Sequence, residues 1–174
     1  MQPPIHTGQI YGGHEAVAHS RPYMVLLERH MQNGETYYCD GFLLTEDFVM
    51  TAAHCQAKSL SSKANFSNNV RPIALADRDD GSLPKSCSVS GWGRNNRSSK
   101  YMSLTLMEVN VTLIDNELNH CTLCMHFQGD SGGPLVCEDG KAYGVVSSSH
   151  KTNPDGLYVY SYTKIPKNTD WRYR

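Results

Sequence analysis

The sequence predicts an all-β fold, and three observations predict it. Short apolar and β-branched runs recur along the 174 residues, separated by Gly, Asn, Asp and Ser, at a spacing suited to an antiparallel barrel or sandwich. The run Met107-Glu108-Val109-Asn110-Val111-Thr112-Leu113 alternates apolar with polar side chains, the period of a strand with one buried face. No internal repeat or low-complexity tract interrupts the pattern.

Taken in order, strands are expected at 23–29, 37–44, 48–51, 70–76, 86–91, 104–114, 134–138, 141–147 and 156–163. Asn110 then lies on the outward face of its strand, where a glycan fits. The stretch 95–100 reads as a loop on composition. Only the end, 165–174, has the character of a short helix, and it must begin through Pro166 and Asn168, which favour a helix start over its interior.

Composition narrows the function. Charged residues make up 19% and the net charge is −1, so no global field points to nucleic acid or an anionic membrane. The densest basic cluster, Lys164, Lys167, Arg172 and Arg174, reads as solvated surface. No apolar run approaches the ~18 residues needed to cross a bilayer, and residues 1–9 lack the apolar core of a secretory signal. Six cysteines and three Asn-x-Ser/Thr sequons, at Asn65, Asn96 and Asn110, fit a secretory route.

Three strings carry chemistry. In Gln128-Gly129-Asp130-Ser131-Gly132-Gly133-Pro134, glycines on both sides of a serine allow a tight turn and leave little bulk around the hydroxyl. A carbonyl can approach Ser131 Oγ while the N–H groups of Gly129 and Ser131 point at its oxygen. In Thr51-Ala52-Ala53-His54-Cys55, small residues let the strand end pack closely while His54 projects. Paired with the serine, His54 is the natural general base and acid. In Gln9-Ile10-Tyr11-Gly12-Gly13, cleavage after Gln9 would free an Ile10 ammonium able to pair with a buried Asp130 carboxylate, a switch that orders the serine loop.

These strings resemble the trypsin/chymotrypsin family of serine proteases, over nearly the whole chain from Ile10 to Trp171. Further matches are Arg71-Pro72-Ile73-Ala74-Leu75, Cys87-Ser88-Val89-Ser90-Gly91-Trp92-Gly93 and Tyr143-Gly144-Val145-Val146-Ser147. Within the family the chain is most similar to granzymes and mast-cell proteases, through Gly12-Gly13-His14-Glu15-Ala16, Ser20-Arg21-Pro22-Tyr23-Met24 and Phe127. The resemblance implies a chymotrypsin-like double antiparallel β-barrel of Greek-key topology. It also implies bridges Cys39–Cys55, Cys87–Cys137 and Cys121–Cys124, residues 1–9 as a propeptide remnant and 10–174 as the protease domain. It implies a secreted or granule-stored monomer that meets protein or peptide substrates and protease inhibitors, with no cofactor and no metal.

Two departures qualify that expectation. In the family's Ser-His-Asp triad, histidine precedes aspartate by about 45 positions and serine by about 138. Here His54 and Ser131 are 131 − 54 = 77 apart, and 56–70 contains no Asp or Glu. The triad aspartate is absent, the gap closes near Lys58–Leu60, and the first barrel is expected to be incomplete. Asp77, Asp79 and Asp80 belong to a surface turn. The second departure is Cys121-Thr122-Leu123-Cys124, where two residues separate the cysteines. A strained bridge or two free thiols suits this motif better than zinc, which would need a second ligand pair. His126, beside it, reads as a pocket-wall residue. The expected function is serine endopeptidase chemistry, with a catalytically impaired pseudoprotease or truncated isoform as the alternative.

Overall fold

The computed structural model describes residues 13–55, 62–76, 84–93, 102–112, 120–124, 131–151 and 158–165, with 120–124, 148–151 and 158–160 described as backbone. Its strands are β1 (His14–Glu15), β2 (Met24–His30), β3 (Thr36–Leu43), β4 (Val49–Met50), β5 (Ser86–Gly91), β6 (Met107–Thr112), β7 (His120–Cys124), β8 (Pro134–Cys137), β9 (Ala142–Lys151) and β10 (Tyr158–Lys164). The alternation of β6 works as the sequence predicts. Met107, Val109 and Val111 are buried, while Asn110 and Thr112 face out.

These strands build two antiparallel sheets. The larger has the order β1-β6-β5-β8-β9-β10-β7 and the smaller the order β2-β3-β4. Neither closes on itself among the described residues, and the first barrel is reduced to its three-stranded sheet. The expected double barrel is therefore incomplete among the described residues, and the only helical turn among them is a 3-10 turn at Ala53–Cys55. No helix among them is long and apolar enough to cross a membrane.

Two apolar clusters hold the sheets. Val89, Met107, Val109, Val111, Leu135, Val146 and Tyr162 pack around the Cys87–Cys137 bridge inside the large sheet. Tyr23, Phe42, Ala52 and Ile73 of the smaller half pack against Val136, Ala142 and Val145 of the larger. Phe42 is fully buried at this junction. Burial of one such side chain stabilises by about 1.5–3 kcal/mol, so Phe42 is a principal link between the halves.

Several boundaries differ from expectation, each for a local reason. The segment 70–76 is extended but forms no regular strand. Arg71 N–H donates to Pro22 O, Ile73 N–H to Leu43 O and Ala76 N–H to Ala142 O, so its bonds are divided between the two sheets. Pro72, without an N–H, cannot contribute to a continuous ladder. The strand expected from 104 begins at Met107, because Thr105 N–H turns back to Ser103 Oγ at 3.3 Å and Leu104 projects into solvent. β9 runs on to Lys151, with a register shift opposite Ser161 and Tyr162. β1 and β7 were not expected; each takes its place through partners on β6 and β10. Of the expected terminal helix only Ile165 is described, buried, with its N–H donating to Tyr143 O; the rest of it and the 95–100 loop lie outside the described residues.

Candidate active site

The histidine turn follows from the residues that end β4. Ala52 is buried, and its carbonyl accepts from Cys55 N–H at 2.9 Å, closing the 3-10 turn over 53–55. A larger side chain at 52 would have no room, so the small residues let the turn seat against the core and leave His54 exposed. Cys55 is bridged to Cys39 of β3. A His54 ring nitrogen lies within 4.8 Å of both sulfurs. Those sulfurs are joined to each other, so neither is a thiolate able to bind a metal.

The next residue on β3 reaches the Ser131 turn. Asp40 N–H donates to Ser131 O at 2.9 Å, and Cys55 Sγ lies 3.7 Å from the same oxygen. The dipeptide Cys39-Asp40 therefore brackets the site, with Cys39 tied to the histidine turn and Asp40 to the serine turn. Two turns whose His54 and Ser131 are 77 positions apart in sequence are thus tethered to one strand.

Ser131 is half-buried and leads into β8 through Gly132 and Gly133. Gly132 has φ +98° and donates to Val146 O at 2.8 Å. A Cβ there would overlap the Asp40 carbonyl and the Thr51 hydroxyl, so glycine is required both by conformation and by contact. Val146 N–H returns to Gly133 O at 2.9 Å, locking the turn onto β9.

Asp40 is the site residue that the sequence reading missed. It is completely buried. Its Oδ2 accepts from Trp92 N–H at 3.3 Å, and its carbonyl accepts from Thr51 Oγ1 at 2.7 Å. The available signal was an acid between Cys39 and Gly41, at the start of the buried half of β3, 40–43. His54, by contrast, makes no hydrogen bond or ion pair among the described residues. Gly129, Asp130, Ile10 and His126 lie outside them, as do the side chains of Cys121 and Cys124.

The chain joins the large sheet just after residue 13. His14 pairs with Glu108 and Glu15 with Met107, and Arg21 Nε sits 2.8 Å from Glu108 Oε2. Tyr23 follows, its phenol pushed up by burial and partly offset by the Arg21 cation. A groove of about 700 Å³ runs beside this segment, lined by Val17, Met24, Leu26, Val49 and Val70. Neither His54 nor Ser131 lines it, so this groove is separate from the site.

The trypsin family's sequence model matches residues 10–59 and 57–172. The chain belongs to the trypsin family. Two pieces make up the match to this family of serine protease hydrolases, and they meet at 57–59. The chain is 34% identical to mouse (Mus musculus) Granzyme B(G,H), covering 94% of this chain and 90% of that protein. It is 31% identical to Mast cell protease 3 of Ovis aries, covering 98% and 90%. The granzyme alignment extends over 227 positions, so at least 227 − 174 = 53 of them face gaps in this 174-residue chain. Among solved structures, GrC superposes with a TM-score of 0.73 at 27% identity, covering 87% of this chain and 93% of that one. The trypsin-family, granzyme-like character read from the sequence is thereby shown, and the Cys39–Cys55 and Cys87–Cys137 bridges are formed.

Proposed function

We propose that this chain is a granzyme-like serine endopeptidase homologue that retains acylation chemistry and turns over slowly. The observation that carries the proposal is the Cys39-Asp40 bracket, which holds the His54 and Ser131 turns on one strand. Ser131 Oγ attacks the scissile carbonyl while His54 takes its proton. The N–H groups of Gly129 and Ser131 stabilise the oxyanion. His54 then protonates the leaving amine, and water releases the acyl group by the reverse sequence. Removal of residues 1–9 frees the Ile10 amine to pair with Asp130 and order the loop.

The slow turnover follows from the missing aspartate. In Ser-His-Asp proteases, changing that aspartate to asparagine lowers kcat roughly 10⁴-fold, about 5–6 kcal/mol of barrier. Nothing among residues 56–70 can replace it, since they include no acid. An internal deletion closing near Lys58–Leu60 accounts for that loss; the two-piece family match and the alignment gaps support it. Protein substrates and inhibitors, a secreted or granule location and a monomeric state belong to the same proposal.

The missing aspartate also favours a second reading, a pseudoprotease that binds protease ligands without chemistry. A fluorophosphonate probe separates the two after residues 1–9 are removed from folded protein. The endopeptidase reading expects slow modification at Ser131, abolished in Ser131→Ala. A cooperative melt with no modification would leave only the binding role.

A further inference from the structure

The buried Asp40 joins three segments that the catalytic scheme above treats separately. Its N–H holds the Ser131 carbonyl at 2.9 Å. Its Oδ2 holds the Trp92 N–H at 3.3 Å, just beyond the end of β5. Its carbonyl receives the Thr51 hydroxyl at 2.7 Å, three residues before His54. A carboxylate with no exposed surface is costly to place unless its hydrogen bonds are met. A side chain that only fills space would not need to be an acid.

We propose that Asp40 is a positioning residue for Ser131, its carboxylate anchoring the turn after β5 so that its backbone can fix the nucleophile turn. The bond to Ser131 O sets the plane of the Ser131–Gly132 peptide. Gly132 lies directly over the Asp40 carbonyl, so a shift of Asp40 moves the nucleophile turn with it. The hydroxyl of Thr51 links the same carbonyl to the segment leading into the histidine turn. Tilting Asp40 therefore alters how Ser131 meets a carbonyl. The catalytic consequence rests on the endopeptidase reading above; the anchoring itself does not.

The experiment compares Asp40→Asn, which keeps an oxygen acceptor, with Asp40→Leu, which keeps the branched shape at a larger volume and has none. Fluorophosphonate modification is resolved into kinact and KI, and amide hydrogen exchange is followed at Trp92 and Gly132. One lost hydrogen bond is worth up to about tenfold. The leucine variant is expected to lower kinact about tenfold with KI unchanged and to speed exchange at those two amides, while asparagine largely rescues both. Equal behaviour of asparagine and leucine, or a change confined to KI, would overturn the proposal. If the leucine variant does not fold, Thr51→Val tests the carbonyl end of the same bracket: slower modification at constant KI supports the role, and an unchanged kinact refutes it. If the parent protein is not modified, the endopeptidase reading fails, and the exchange pattern alone decides the anchoring.

Discussion

The amide N–H of Asp40 donates to the carbonyl oxygen of Ser131 at 2.9 Å, and this bond sets how closely the Ser131 turn approaches β3. Gly132 sits in the gap so formed. Gly132→Ala adds both left-handed backbone strain and overlap with Asp40 and Thr51. Strain of this kind costs about 1–3 kcal/mol, and the overlap adds to it. Gly140, at φ +74°, has nothing within 4 Å of an added Cβ, so Gly140→Ala carries only the conformational part. Urea melts of the pair are expected to show the larger loss at Gly132; equal losses would mean that the close approach is absent.

The Cys39–Cys55 bridge, with a sequence separation of 16, constrains a loop for which chain entropy predicts about 3 kcal/mol. It also anchors the histidine turn. The double variant Cys39→Ala/Cys55→Ala is expected to lose about that much stability by urea melt and to react more slowly at Ser131 than its residual folded fraction explains. Reactivity that scales only with the folded fraction would limit the bridge to a stabilising role.

Tyr23 makes stability depend on alkaline pH. Burial raises its phenol above the ordinary value, with Arg21 opposing. A folded state that holds the proton more tightly than the unfolded state contributes stability that is present below the unfolded value near 10 and lost as pH rises above it. Tyr23→Phe should remain within about 1 kcal/mol of the parent at pH 7 and lose part of the decline above pH 10. Tyr37 and Tyr38, raised by surface bonds to Glu35 and Glu28, remain in the variant, so the difference isolates Tyr23. Parallel stability curves for the two proteins between pH 9 and 11 would contradict the assignment.

How much was legible in sequence depended on the scale of the interaction. β5 was readable to the residue because its neighbours continue the ladder on both sides. The alternation of β6 likewise identified its inward side chains. The 70–76 segment defeated the same rules, since its hydrogen bonds are divided between two sheets and period alone cannot report the partner. β1 was invisible because two residues have no period at all. The serine and histidine strings were singled out by their local chemistry. Asp40 was not, because its importance comes from three contacts at sequence distances of 11, 52 and 91 residues. None of those contacts leaves a mark on the residues beside it.

Asn110 lies at the centre of β6, exposed between buried Val109 and Val111, in the sequon Asn110-Val111-Thr112. Its backbone is paired with Ser88 on β5, so its outward direction is fixed by the sheet. Asn65 is also exposed, in Asn65-Phe66-Ser67, on a segment tied to the 46–47 turn by Ala64 N–H to Glu46 O and by Lys63 to Asp47. Phe66 and Phe48 stand half-exposed around that turn. When the chain is expressed behind a secretory leader in mammalian cells, both asparagines are expected to carry glycans, seen as a mobility shift removed by an endoglycosidase. Asn65→Gln and Asn110→Gln should each remove one step of that shift. Loss of the Asn65 glycan uncovers the neighbouring aromatic rings and is expected to increase aggregation, whereas Asn110→Gln, on a strand with no exposed aromatic of its own, should not. Equal solubility of the two variants would show that the Asn65 glycan does not shield Phe48 and Phe66.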